Sequence, residues 1–198
     1  MIFQETRLKG AYHIDLRRLD DERGFFARSF CQREFLEHGL DAKVVQCNVS
    51  FNNSKGTLRG MHYQAPPWEE AKLVRCTRGS IYDVIIDLRS ESPTFLQWLA
   101  VELTAESRQA LYIPKGFAHG FQTLEENTEV FYQMSEFYEP GYSHGIRWND
   151  HLFNIHWPIM VGSISSKDQA YADCCPEDFN SLFINSRSSI SITQSRVD

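Results

Sequence analysis

A chain of 198 residues, 42% hydrophobic and 23% charged, has the composition of an ordinary soluble globular protein and enough length to bury one substantial core. A net charge of −6 with no basic block excludes a general nucleic-acid surface, though a few local cations in a cleft suffice for a small anionic ligand. No stretch approaches the roughly eighteen apolar residues of a spanning helix, and the start, MIFQETRLKGAYHI, lacks a basic n-region and a cleavage signature. The five cysteines (Cys31, Cys47, Cys76, Cys174, Cys175) are odd in number and form no CxxC pair. Free thiols in a reducing cytosol fit that pattern, so a cytoplasmic protein without membrane or nucleic-acid partners is expected.

In chain order, Ile2–Thr6 and Ala11–Leu16 alternate as short strands, and Asp20–Phe26 reads as a charged turn in which Gly24 permits tight geometry. Ser29 and Gln32 have the spacing of a capping box and Gly39 that of a stop, which predicts a helix over Phe30–His38. Strands follow at Lys43–Ser50 and Thr57–Gln64, separated by a turn at Asn52–Gly56 and ended by Ala65-Pro66-Pro67. Lys72–Cys76 and Ser80–Leu88 flank a turn at Thr77-Arg78-Gly79. Within Ser80–Leu88, Tyr82, Val84, Ile86 and Leu88 share one face, and Ile81, Asp83, Ile85 and Asp87 the other. Trp98–Leu103, Gln109–Ile113, Gly120–Leu124 and Glu129–Tyr138 repeat the strand pattern, and Ser163–Ala170 reads as a loop.

Short strands at intervals of roughly 8–12 residues, joined by Gly, Pro and Asn turns, indicate an antiparallel sandwich or barrel, all-β in class with a few short helices. Neither a βαβ alternation nor a Gly-rich phosphate loop is present, which argues against a Rossmann domain. One domain is expected over residues 1–184, and residues 185–198 form a Ser-rich tail that is a candidate disordered segment.

Two stretches carry chemistry. Gln46–Lys72 packs Gln46, Asn48, Arg59, His62, Gln64 and Lys72 between turn residues, a density of polar and cationic groups suited to a pocket for an anionic, oxygen-rich ligand. Ile113–Phe121, IPKGFAHGF, sets Pro114, Gly116 and His119 at the spacing of one rim of a cupin-type jelly roll. A metal-binding cupin would add H-x-H and a carboxylate on the earlier strand. Here His62-Tyr63-Gln64 keeps one histidine only, a poor donor set for zinc or iron, so a metal-free barrel with His62 available for proton transfer is expected. Without further context, His62 is also compatible with a hydrogen-bonded strand histidine, Lys72 with an edge lysine and Tyr132 with core packing.

Most of the chain resembles the dTDP-4-dehydrorhamnose 3,5-epimerase family. The resemblance runs from DERGFF (Asp21–Phe26) through LRGMHYQ (Leu58–Gln64), KLVRC (Lys72–Cys76), DVIIDLRSESPTF (Asp83–Phe95), IPKGFAHGF and IRWND (Ile146–Asp150) to SKDQ (Ser166–Gln169), in the family's order. It implies a cupin-like antiparallel jelly-roll barrel, a homodimer whose N-terminal segments reach into the partner, no cofactor, and a nucleotide-linked 4-keto-6-deoxyhexose as substrate, inverted at C3, C5 or both. It also implies His62 as base, Asp168 as its partner, Lys72 beside the C4 oxygen and Tyr132 as proton donor. Arg23 and Arg59 are then diphosphate clamps, His119 a group that holds sugar oxygens or is structural, and Gln46, Asn48, Tyr138 and Arg147 further ligand contacts. Asp168 would otherwise read as an ordinary loop carboxylate.

Three positions depart from the family. Arg28 and Ser143 stand where ligand-contacting glutamates are common, and Cys47 replaces a frequent aspartate. Proton-transfer residues are kept while acids on the nucleotide side are changed, which suggests the same chemistry with shifted specificity. A sugar-nucleotide ketoisomerase on the same scaffold, a non-catalytic sugar-binding cupin and a metal-dependent cupin oxygenase are the alternatives.

Overall fold

The computed structural model describes residues 1–180, 182 and 183, so the expected tail at 185–198 lies outside the described residues. The N-terminal quarter supplies β1 (Ile2–Glu5), β2 (Tyr12–Asp15), β3 (Arg18–Asp21), β4 (Gly24–Ala27), α1 (Gln32–Glu37) and β5 (Gln46–Asn52). The middle is β6 (Thr57–Gln64), β7 (Lys72–Arg78), β8 (Ser80–Asp87), β9 (Trp98–Thr104), β10 (Ala110–Ile113), β11 (Phe117–Thr123) and β12 (Thr128–Met134). β13 (Ser143–Gly145), β14 (Ser163–Ile164), α2 (Ser166–Gln169) and α3 (Glu177–Asn180) follow.

The strands build two six-stranded sheets, one ordered β1-β2-β10-β7-β12-β5 and the other β13-β6-β11-β8-β9 with β14 alongside β6. Every pairing is antiparallel except β14 on β6. The expected all-β class is therefore met, with short helices only.

Alternation along β8 accounts for the layering. Ile81 and Ile85 point between the sheets, where they join Val74, Cys76, Leu103, Leu111, Phe121 and Val130 in one core. Val84, Ile86 and Leu88 point outward and are covered by Phe153, Ile155 and Phe179 of the C-terminal segments. A strand apolar on both faces is one covered on both faces. The outer side of the first sheet is closed by Phe35 of α1, which packs with Ile14, Leu73 and Tyr112.

Several local expectations change. The predicted helix shortens to Gln32–Glu37, and the capping box does not form: Cys31 occupies the N-cap without a side-chain bond. Its end is as expected, with Gly39 at φ +70 and the Leu40 N–H bonded back to the Phe35 carbonyl. Asp20–Phe26 belongs mostly to the β3–β4 hairpin, in which Asp21 lies opposite Gly24. The predicted loop over Ser163–Ala170 contains β14 and α2 instead, because Ser163 and Ile164 pair with Thr57 and Leu58 and Ser165 caps the helix behind them. No helix among the described residues is long and apolar enough to cross a membrane.

Candidate active site

Two glycines bring the site together. Gly60 of β6 and Gly120 of β11 cross so closely that a Cβ on Gly60 would lie 2.5 Å from the Gly120 Cα, and one on Gly120 would lie 2.7 Å from the Arg59 carbonyl oxygen. Gly60 also has φ +121, which an L side chain adopts only with strain. The ladder is irregular at this crossing, and beside it His62 faces His119 as a Cα pair.

Each histidine has its own carboxylate. His62 Nε2 is 2.7 Å from Asp168 Oδ1, and His119 Nε2 is 2.7 Å from Asp83 Oδ1. Asp168 sits in α2, where its backbone N–H donates to the Ser165 hydroxyl at 3.0 Å, so the cap that starts the helix also aims the carboxylate. Burial would push the Asp168 carboxyl up. The hydrogen bond and charge of His62, the Gly60 N–H and Ser165 outweigh burial and hold it below its ordinary value of 3.8. An ionised carboxylate only accepts, so His62 Nε2 is the donor to Asp168, which leaves Nδ1 as the lone-pair nitrogen of the neutral imidazole. The His62 side chain is 38% exposed while that of Asp168 is 5% exposed, an arrangement that opens the imidazole to the cavity and hides its partner.

The other wall comes from the facing sheet. Lys72 opens β7 opposite Met134 of β12, and Tyr132 lies between Val74 and Asn48 as their Cα partner. Gln46 Nε2 donates to Asn48 Oδ1 at 3.2 Å within β5, and the Gln46 side-chain Oε1 accepts from the Tyr138 N–H. Arg59 reaches from β6 to Asn52 of β5, donating from Nε to Oδ1 at 2.7 Å. These side chains line a cavity of about 930 Å³ together with His62, His119, Tyr138, Ser143 and Asp168. That volume lies in the range of small-molecule sites, where a few convergent polar groups set orientation.

Four expected site residues do not line it. Arg23 is at the hairpin tip, its side chain 90% exposed and paired with Asp21 at 2.6 Å. Arg28 pairs with Glu34 at 2.9 Å outside the cavity, and Arg147 with Asp173 at 3.1 Å. Cys47 is exposed because strand alternation sends Gln46 and Asn48 inward and Cys47 to the opposite side. Ser143, the remaining departure, does line the cavity. Among the described residues no three His, Cys, Asp or Glu side chains gather as a metal site.

Glu70 and Lys167 also line the cavity, and Asp83 and Ser165 hold its histidine pairs; the sequence reading assigned none of the four a role. Asp83 had a readable signal, a carboxylate set between Ile81 and Ile85 on one strand face. A charge at such a place requires a partner.

A two-sheet antiparallel jelly roll with a His–Asp pair on one wall, and a tyrosine and a lysine on the other, defines a protein built for acid–base work on a polar ligand. The chain belongs to the dTDP-4-dehydrorhamnose 3,5-epimerase family, whose model matches residues 5–174. It is 46% identical over 149 residues to the dTDP-4-dehydrorhamnose 3,5-epimerase of Shigella flexneri, covering 75% of this chain and 82% of that one. The crystal structure of the Bacillus anthracis dTDP-4-dehydrorhamnose 3,5-epimerase with TDP and PPi bound superposes with a TM-score of 0.84 at 39% identity, over 87% of this chain and 99% of that one. The Legionella pneumophila epimerase in complex with dTDP-4-keto-L-rhamnose matches with a TM-score of 0.79 at 37% identity, over 85% and 90% of the two chains. The fold is the cupin-like jelly roll of these neighbours.

Proposed function

We propose that the protein is a cofactor-independent epimerase that inverts C3 and C5 of dTDP-4-keto-6-deoxyhexose by proton abstraction and reprotonation. The observation that carries this reading is the oriented His62–Asp168 pair facing Tyr132 and Lys72 across one cavity. Inversion beside a ketone needs a base, a stabiliser for the enolate oxygen, and an acid on the opposite face. His62 takes the α-proton through Nδ1, and Asp168 stabilises the imidazolium that forms. Lys72 faces the C4 oxygen and offsets the charge that develops there. Tyr132, from the other sheet, returns a proton to the far side of the carbon. Once His62 has released its proton to water and Tyr132 has regained one, the same cycle at the second carbon inverts both centres without a redox step.

Binding follows from the remaining lining. Arg59 is a cation for the diphosphate, since a guanidinium fork matches phosphate oxygens. Gln46, Asn48 and His119 supply hydrogen bonds, and Tyr138, 51% exposed at the cavity mouth, offers a ring for the base. Arg23 and Arg28 act in a second copy of the chain: among the described residues the β3–β4 hairpin pairs with no further strand, and it exposes Leu19 and Phe26 at 64% and 72%. Such a projecting apolar hairpin supports a homodimer in which each hairpin completes the partner's cavity. The shift in specificity then concerns Ser143 in the cavity itself and Arg28 across the dimer, and no longer Cys47.

The test is incubation with a panel of 4-keto nucleotide sugars and product identification by NMR. Inversion at C3 and C5 of the dTDP-linked 4-keto sugar supports the proposal. A carbonyl moved to another carbon would indicate a ketoisomerase, and binding without turnover a sugar-binding protein.

A further inference from the structure

Glu70 is a buried acid that the proton-transfer scheme does not use. Its Oε1 is 2.9 Å from Lys72 Nζ, with side chains 4% and 10% exposed, and its Oε2 is buried with no hydrogen-bond partner among the described residues. Both residues line the cavity. The residue between them is clamped: the Ala71 N–H donates to the Ser135 hydroxyl at 2.8 Å, and the Ala71 carbonyl accepts from the Ser135 N–H at 3.0 Å. The segment Glu70–Lys72 is thus fixed by two bonds to Ser135, the residue that follows β12, and the two charged side chains meet beside it.

A buried ion pair with one carboxylate oxygen left unsatisfied is a poor device for stability, because desolvating both charges offsets most of their attraction. It is an effective device for placement. An ammonium has three donors and no acceptor, on a flexible stem that a single point charge can anchor. With one donor held by Glu70, the other two are restricted in direction.

We propose that Glu70 is a positioning residue that holds the Lys72 ammonium against the ligand's carbonyl oxygen. The proposal rests on the epimerase reading of the cavity. Its consequence is that Glu70 acts only through Lys72 and lowers the barrier to enolate formation without contributing to nucleotide affinity.

A double-mutant cycle tests this in the full-length protein, with Glu70→Gln, Lys72→Gln and the double variant. The readouts are kcat and KM on the dTDP-linked 4-keto-6-deoxy sugar and the dissociation constant of dTDP alone. Glu70→Gln should lower kcat about tenfold or more while dTDP affinity stays within about twofold, which also reports that the variant is folded. In the Lys72→Gln background the same change should have no further effect on kcat. If Glu70→Gln binds no dTDP, Glu70→Asp, which keeps the charge, replaces it in the same cycle and should also lose kcat before affinity. Wild-type turnover with an unchanged kcat in the Glu70 variant overturns the positioning role alone. An equal loss in both backgrounds also overturns it, since Glu70 would then act independently of Lys72. A wild-type protein that inverts none of the 4-keto nucleotide sugars overturns the reading of the cavity, and the role of Glu70 with it.

Discussion

His62 Nε2 and Asp168 Oδ1 lie 2.7 Å apart although the residues are 106 positions distant in sequence, joined by a four-residue helix that Ser165 caps. The pair fixes the imidazole tautomer. In Asp168→Asn the amide donates as well as accepts, so Nε2 no longer has to carry the proton. The kcat for inversion should fall roughly 100-fold or more, while dTDP binds with nearly wild-type affinity.

The same pair has a pH signature. The Asp168 carboxyl is held below 3.8 in the folded protein, so its contribution to stability is present above that value and is lost as pH falls through the folded-state value. Acid unfolding of Asp168→Asn, followed by circular dichroism, should lack part of the wild-type loss below about pH 4. An identical acid limb in the two proteins would contradict the coupling.

Tyr132→Phe should separate exchange from inversion. The base on the opposite wall still abstracts a proton and can return a deuteron to the same face, so solvent exchange at the α-carbons persists. Epimeric product should fall by roughly 100-fold, the usual scale for losing a positioned acid. Exchange and inversion falling in parallel would place Tyr132 outside the reprotonation step.

Gly120→Ala tests the crossing that sets the two histidines side by side. The new Cβ would meet the Met61 sulfur at 2.6 Å and the Arg59 carbonyl at 2.7 Å, and the carbonyl cannot move without shifting β6. Overpacking of this kind costs about 1–3 kcal/mol, readable as a lowered Tm. Activity should fall further than stability, because β6 carries His62.

The projecting hairpin makes a subunit-complementation test decisive. Arg23→Ala and His62→Ala homodimers should each be impaired, but mixing them under exchange should restore about a quarter of wild-type activity, since heterodimers regain one intact site of two. No recovery despite demonstrated subunit exchange would show that Arg23 does not serve the partner's cavity.

Much of the site was readable because strand residues and turn glycines fix direction locally. The spacing within Gln46–Lys72 put Gln46, Asn48, Arg59, His62 and Lys72 in one cavity, and the pairing of β12 with β5 and β7 sets Tyr132 on the wall of Asn48 and Lys72, opposite His62. The same alternation should have removed Cys47, which lies between two inward residues. Asp168 was not legible from spacing, because its helix depends on a cap and on β14 docking beside β6. Arg23, Arg28 and Arg147 were placed by resemblance alone, and exposed arginines carry no local signal of which cavity they serve. The capping box at Ser29 failed because a four-residue spacing cannot report that the helix begins after Cys31.

The central claim is that His62 removes the α-protons. The direct measurement is deuterium incorporation from D₂O into the dTDP-linked 4-keto-6-deoxy sugar, followed by NMR for wild type and His62→Ala at equal dTDP occupancy. The wild-type protein should incorporate deuterium at both C3 and C5, and His62→Ala at neither. Wild-type exchange rates in His62→Ala would contradict the account and assign the base to another group in the cavity.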